Sequence, residues 1–579
     1  MITKLRVENF KRFSREDFEL DDSIVLAGPN NSGKSTLLQA LATWAMALDR
    51  WRQAKGRTGK ARQRAGIPLT RKDFTALPLR EFDLLWNDRS TALSKDELGP
   101  DQKPGEPRLI HISVTGSTGF QRTAEWSLTM ELRYQGPEQI YVKPIQGESD
   151  VPKAALDISV VHCPPFSGIG SEEKRMDRGA QNLEIGRGKP GDIIRNLLLE
   201  VAQQGNEWNS LVTDIEELFR IRICDPVYDE AFTPFILCEY LPGIPKGKGK
   251  NGLSALDIAS GGSGLLQVLI LLSYFYARPA SVLLLDEPDA HLHVILQRQI
   301  YDRLRSVASK RECQLIVATH SEVILDGTSP SRVVSFLGKP HKLVRDDQRD
   351  QVREAMKRLT TQDLLLAEQR RQVLYCEGES DFKILEAWAR VTNHPASKFF
   401  ETPFFHSNEG RNPREARAHL FALRAIHPDL QGLLLLDGDN RDFPEHEIEA
   451  QGLSIHRWTR YEIENYLLVP SAIHRFLARE SADLFSTKAA ENAIAYLRTQ
   501  LPPQTFESPL IDNATVVAVR ASKDILPQMF EAAGGPLEKA DYFLLAKAMV
   551  PGEIHPEIMK VLDAIGDLIG DPAGDVASQ

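Results

Sequence analysis

The sequence predicts a multidomain α/β protein with two mostly parallel sheets. Three observations carry that prediction. An apolar strand, Ser23-Ile-Val-Leu-Ala27, runs into GPNNSGKST and then into a helical stretch, LLQALATWAMAL. A second apolar run, SVLLLDE, ends in Asp286 and Glu287. From Gln372 onward, apolar runs alternate with amphipathic stretches, and two of the runs stop abruptly in carboxylates. Such alternation implies βαβ units, and buried parallel strands read as continuous apolar runs. At 579 residues the chain is too long for one core.

The elements follow in order. MITKLRVENF reads as a strand rather than a charged-then-apolar signal peptide. Residues 1–340 form one long α/β unit, in which 50–105 is polar, punctuated by glycine and proline, and reads as an insertion. The alternating stretches RLIHISV (108–114) and AEWSLTMELRY (124–134) predict antiparallel strands, an added β layer. Helices are expected over 191–203 and 209–219. Residues 341–371, charged and helix-like after Pro340, form a connector. A second α/β unit over 372–470 reads strand (VLYC), helix (DFKILEAWARV), strand (TPFFHS), helix (PREARAHLFALRAI), then strands GLLLL and LSIHRW. Residues 471–579 are mainly helical. The sequence holds no internal repeat or sustained heptad pattern, which excludes long coiled-coil arms.

Composition bounds the function class. Hydrophobic content of 42% and charged content of 26% suit a soluble globular protein. No apolar run is long enough to span a bilayer. The five cysteines, Cys163, Cys224, Cys238, Cys313 and Cys376, contain no CxxC pair, so neither a disulfide framework nor a zinc ribbon is expected and a reducing cytoplasm is. A net charge of −10 argues against a uniformly basic nucleic-acid coat. Locally the balance reverses. Arg50, Arg52, Lys55, Arg57, Lys60, Arg62, Arg64, Arg71 and Lys72 run without an acid among them, and Lys246, Lys248 and Lys250 alternate with glycines. These are either solvated loops or phosphate-backbone contacts.

GPNNSGKS matches G-x-x-x-x-G-K-S between a strand and a helix, the context that gives the motif meaning. Gly28 and Gly33 let backbone N–H groups wrap phosphates at a helix N-terminus, with Asn31 and Thr36 in the same loop. Lys34 can reach the β- and γ-phosphates, and Ser35 can ligate Mg²⁺. Asp286 is placed to hold that ion and Glu287 to activate water. Ser260, Gly261 and Gly262 precede an apolar helix, and QLIVATHS ends a strand at His320. This order of P-loop, SGG, acid pair and strand-end histidine resembles the ABC-type ATPase heads of the structural-maintenance and RecF kind. The resemblance implies that Ser260 and Gly262 contact the γ-phosphate held by an opposite subunit, and that His320 senses it. It implies a head-to-head dimer, with His291 and His293 in a dimer-contact loop.

QVLYCEGESD places Glu377 and Asp381 after one strand, and LLLLDGDN places Asp437 and Asp439 after another. Clustered acids at strand ends of an open sheet suggest divalent-metal binding. These motifs and the intervening βαβ pattern resemble the Toprim domain, and an ABC-type head followed by Toprim is the arrangement of OLD-family nucleases. That resemblance implies Glu377, Asp437 and Asp439 as the catalytic core. It adds Asp381 and Glu464 as further ligands for two Mg²⁺ or Mn²⁺ ions, with Glu462 a weaker candidate. It also implies a late lysine, Lys539 before Lys547, stabilising charge on the scissile phosphate. The expected function is an ATP-binding, metal-dependent DNA endonuclease in anti-phage or anti-plasmid defence. One ion per ATP site, a homo-oligomer of at least two chains (a tetramer also fits) and a helicase-like or other partner protein belong to the same expectation. A RecF-like DNA-binding ATPase with a non-catalytic Toprim scaffold is the alternative. A topoisomerase would need a tyrosine-bearing domain for which the residues after 470 leave little room, and a primase usually brings a zinc ribbon.

Overall fold

The computed structural model describes residues 1–579 except 56–65, 95–102, 119–123, 146–150, 167, 245–253, 279, 409–412, 439–450, 479–483 and 569–579. The chain divides into two compact units, Met1–Met356 and Lys357–Gln579.

The strand Ser23–Ala27 is buried at every position, as are Val282–Asp286 and Gln314–Thr319. A strand covered on both faces has to be apolar throughout, which is why these segments read as unbroken hydrophobic runs. They lie in a six-stranded sheet ordered His341–Lys342, Val333–Ser335, Ser23–Ala27, Gln314–Thr319, Val282–Asp286, Val160–Cys163. All its pairings are parallel except that of His341–Lys342. The register sets Ala27 beside Thr319 and Asp286 beside Ala318, so three strands end at one edge.

Alternate side chains of these strands feed two cores. Ile24, Leu26, Leu284 and Ile316 share one with Leu37, Leu41 and Trp44 of the helix Lys34–Lys55. Val25, Leu283, Leu285, Leu315 and Val317 share the other with the helix Ser263–Ala277, which is buried almost all round. The first core extends into an antiparallel sheet ordered Phe13–Glu19, Ile2–Phe10, Ile110–Ser117, Glu125–Gly136, Gln139–Ile145, Ile67–Thr70. Part of the stretch expected to be an insertion is integral to this layer. Ile67–Thr70 pairs with Gln139–Ile145, and Phe82, Leu85 and Trp86 are buried in the core. Its few apolar residues sit in a polar background, and its strand partner lies far downstream, so no local pattern marked it.

In the second unit four parallel strands are ordered Phe405–Ser407, Gln372–Cys376, Gln431–Leu436, Leu453–Arg457. The chain adds its second strand on one side of Gln372–Cys376 and its third on the other. Strand order therefore reverses at the pair Gln372–Cys376 and Gln431–Leu436, the position at whose carboxyl ends open α/β sheets place their binding sites. Leu374, Cys376, Leu433 and Leu435 face a core built with Trp388, Tyr466, Leu497, Met529 and Ile558 from the surrounding helices. Among the described residues no helix is long and apolar enough to cross a membrane.

Candidate functional site

Two constellations sit at these sheet edges. In the first unit, the loop from Gly28 to Gly33 joins the strand Ser23–Ala27 to the helix Lys34–Lys55. Asn31 and Gly33 have φ of 61° and 110°, the left-handed region, which folds the loop back on itself. A Cβ on Gly33 would also lie 2.9 Å from Arg12 Cδ and 3.1 Å from Phe13 Cε1. Lys34 is buried, with Nζ donating to Gly28 O (2.8 Å) and Pro29 O (2.7 Å). Burial lowers its pKa, opposed by Glu287, Asp286 and Asp289. Ser35 Oγ donates to Asp286 Oδ1 at 2.9 Å, uniting the two groups expected around Mg²⁺. Burial pushes the Asp286 carboxyl up to about 6 despite that bond.

Glu287 follows with φ of 50°, a strained conformation for glutamate. Its Oε1 lies 3.7 Å from His320 Nδ1. The imidazole lowers the Glu287 carboxyl and is itself raised by it. Buried Asp289 accepts from Thr319 Oγ1 at 2.6 Å, tying the acid turn to the strand that ends at His320. A cavity of about 540 Å³ is lined by Arg12, Asn30–Thr36 and Glu287. Arg12, in the turn between the first two strands, carries no motif and is visible only in the fold. Ser260 and Gly262 are exposed at the start of the helix Ser263–Ala277 and do not line this cavity. His291 and His293 are also exposed.

The expected basic runs fall partly outside the described residues: Arg57, Lys60, Arg62, Arg64, Lys246, Lys248 and Lys250. Of the rest, Arg52 donates to Leu156 O at 2.9 Å and Arg71 pairs with Glu138 at 2.9 Å. Those two cations serve intramolecular contacts.

In the second unit, Glu377 follows the strand Gln372–Cys376 and Asp437 follows Gln431–Leu436, at the point where strand order reverses. Asp381 is in the first turn of the helix Glu379–Val391, and Glu464 in the 3₁₀ turn Ile463–Leu467. Burial, a hydrogen bond with Glu377 and the charges of Asp381, Glu377 and Glu464 push the Asp437 carboxyl up to about 10. Burial is also the leading cause for Asp381 (about 6) and for Glu464 (about 7), with Lys539 acting against it in both. Lys539 Nζ pairs with Glu464 Oε1 at 2.7 Å; its own pKa is raised by Glu464 and Asp381 against burial.

The fold thus gathers Glu377, Asp381, Asp437, Glu464 and Lys539. Among the described residues no three of these carboxylates hold oxygens within 4.8 Å of one another, wider than one ion's ligand shell. Like charges removed from water repel unless protons or cations neutralise them. Oxygen-rich ligands in that state fit a hard divalent cation. Asp439 lies outside the described residues. Lys547 points elsewhere, its ammonium 4.6 Å from the Phe543 ring centroid. Glu462 is buried and accepts from Ser522 N, capping the turn Ala521–Ile525.

Other residues that position the cluster gave no sequence signal. Arg460 is fully buried, donating to Asp512 Oδ1 (2.9 Å), Asn465 O (3.1 Å) and Pro509 O (2.8 Å), which fixes the segment bearing Glu464. Asn465 Nδ2 donates to Val516 O (2.7 Å) and Val519 O (2.8 Å). Gly438 has no room for a side chain: a Cβ would sit 2.3 Å from Arg460 O.

Two family models match the chain. One, described as "AAA ATPase domain", covers residues 1–46, and the other, "AAA domain, putative AbiEii toxin, Type IV TA system", covers 247–326. Between them these segments hold the P-loop, Ser260, Gly262, Asp286, Glu287 and His320. The chain therefore carries an ATPase domain of the AAA type. Among solved structures it is similar to the SMC head domain from Thermotoga maritima (16% identity, TM-score 0.31, 58% of this chain and 94% of that one). Another is an SMC head bound to the C-terminal winged-helix domain of ScpA (15%, TM-score 0.34, 60% and 99%). A third is an SMC head with an extended coiled coil, bound to the C-terminal domain of ScpA derived from Pyrococcus furiosus (15%, TM-score 0.32, 58% and 92%). No curated protein matches the chain.

Proposed function

We propose that this chain is an ATP-controlled, metal-dependent DNA endonuclease of the OLD type, in which the ATPase head governs a Toprim nuclease site in the second unit. The observation that carries the reading is the gathering of four acids and Lys539 where strand order reverses, with three of the carboxyls lifted above their ordinary range. Glu377, Asp381, Asp437 and Glu464, with Asp439 beside them in sequence, would hold two Mg²⁺ or Mn²⁺ ions. Bound there, the ions would supply Lewis-acid stabilisation of charge on a phosphodiester and a nucleophile at neutral pH.

The chain's own residues have distinct tasks. Burial and the surrounding acids favour the protonated form of Asp437 in the ion-free cluster, and a bound cation would favour its anion. Lys539 stays charged and is 48% exposed, so it can meet a phosphate arriving from solvent. In the head, Ser35 and Asp286 would hold the nucleotide's ion, Lys34 would turn from the loop carbonyls to the β- and γ-phosphates, and Glu287 would orient water with His320 beside it. Ser260 and Gly262, exposed and away from their own P-loop, suit contact with a second chain's nucleotide. The working form is then a homo-oligomer acting on DNA in defence against phage or plasmids, with a helicase-like partner compatible with the same architecture.

The test is a plasmid-nicking assay with Mg²⁺ or Mn²⁺, with and without ATP, beside Asp437→Ala and Lys34→Ala. Wild type is expected to nick and Asp437→Ala to lose nicking by about 10²-fold or more. Equal cutting by Asp437→Ala would leave the RecF-like reading standing instead. Full ATP turnover by Lys34→Ala would remove the P-loop assignment.

A further inference from the structure

Asp363, His406 and His419 meet on the sheet face opposite the one that carries the core around Trp388. Asp363 comes from the helix Thr361–Arg370, His406 from the edge strand Phe405–Ser407 and His419 from the helix Pro413–Arg424. One potential ligand atom from each lies within 4.8 Å of the other two. We propose that these three side chains form a binding site for a zinc-class divalent transition-metal ion, separate from the acidic cluster.

Three features support this site. First, His419 is 3% exposed, and its Nε2 is buried without a hydrogen-bond partner. That atom faces Asp363 Oδ2 across 3.8 Å, too far for a hydrogen bond. A buried imidazole nitrogen without a hydrogen bond is costly, and an ion between it and the Asp363 carboxylate would give that nitrogen a partner.

Second, two of the three ligands are oriented from behind, the usual condition of metal ligands. His419 Nδ1 is 2.9 Å from Tyr375 Oη, which fixes the ring and turns Nε2 toward Asp363. Asp363 Oδ2 accepts from Thr360 N (2.8 Å) and Thr360 Oγ1 (2.7 Å) in a capping box. His406 stacks on His419 with ring centroids 3.9 Å apart and planes 18° apart.

Third, the donor set selects the ion. Two imidazoles and one carboxylate suit zinc, cobalt, nickel or iron(II), whereas Mg²⁺ prefers oxygen ligands. Metal–nitrogen bonds of about 2.1 Å place tetrahedral ligand atoms roughly 3.4 Å apart, so the half-buried His406 ring would have to turn out of its stack on His419 to bring both imidazole lone pairs to one ion. Coordination by three protein groups leaves the remaining position to water. An ion here would clamp two helices to a three-residue edge strand whose Ser407 Oγ donates to Glu377 O at 3.1 Å. The site is thereby coupled to the acidic edge without sharing a residue with it.

The test uses the full-length, metal-stripped chain titrated with Co²⁺ in the presence of millimolar Mg²⁺, which occupies oxygen-ligand sites. One equivalent of Co²⁺ should bind with the visible absorption of nitrogen ligation, and Zn²⁺ should displace it. His406→Gln and Asp363→Asn should each weaken Co²⁺ binding at least tenfold while keeping the far-ultraviolet circular dichroism of wild type, and Asp437→Asn should bind Co²⁺ as wild type does. The proposal fails if no nitrogen-ligated Co²⁺ spectrum develops, if excess Mg²⁺ abolishes it, or if folded His406→Gln binds Co²⁺ as tightly as wild type. None of these outcomes depends on nuclease activity, so the site stands or falls independently of the endonuclease reading.

Discussion

Asp381→Asn should stabilise the metal-free protein while weakening its hold on divalent ions. Asp381 is 7% exposed, and burial lifts its carboxyl from 3.8 to about 6 even though Lys539 pulls the other way. Because the folded-state pKa is raised, the proton favours the folded form. The associated stability is fully present below about pH 4 and is lost as pH rises through about 6. Near pH 7.5 the ionised group therefore costs about 2 pKa units, or about 3 kcal/mol. Asparagine keeps the size and can still accept from Ser380 Oγ, so most of that cost should disappear. The loss of an anion from the first helical turn returns roughly 0.5 kcal/mol in the other direction. At about pH 5 wild type is mostly protonated when folded, and the gain should shrink to about half. The assay is thermal or urea unfolding in EDTA at both pH values, where about 2–4 °C per kcal/mol is expected for a unit of this size. Added Mn²⁺ should raise the wild type more than the variant. The reasoning is refuted if Asp381→Asn melts below wild type in EDTA at the higher pH, or if the gain is as large at the lower one.

Lys539→Ala should slow plasmid nicking by about 10²-fold with the fold intact, while Lys547→Ala, whose ammonium rests on Phe543, should stay within about twofold; equal rates for the two variants would dissociate Lys539 from the chemistry. Gly438→Ala forces a Cβ to 2.3 Å from Arg460 O and should cost about 2 kcal/mol or more, read from urea midpoints. An unchanged midpoint would mean that this turn is not packed as described. Ser260→Arg should still bind ATP but not turn it over, and mixing it with Lys34→Ala should restore part of the turnover if the loop acts on a second chain's nucleotide. Absence of any restoration on mixing would count against the composite site.

The phosphate loop and the acid-tipped strands were legible because each is encoded locally. GPNNSGKS fixes backbone shape and cation within one turn, and LLLLD or VLYCE announces a strand buried on both faces that must stop where charge begins. Other features were hidden from any local pattern. Ile67–Thr70 joins the antiparallel layer through a partner in 139–145, and Arg12 reaches the phosphate loop from a separate hairpin.

By itself, then, the sequence determined the two α/β units' strand character, the nucleotide loop and the candidate acids. The tertiary structure decided which of these residues meet. Crossover connections bring Glu377, Asp437, Glu464 and Lys539 to one edge from positions more than a hundred residues apart in the chain, and burial there, not residue type, raises the carboxyls. The same crossovers set Lys539 beside Glu464, left Lys547 on Phe543 and placed Asp363 beside two histidines. Spacing along a chain reports periodicity within an element, whereas contact between elements depends on how their apolar faces pack.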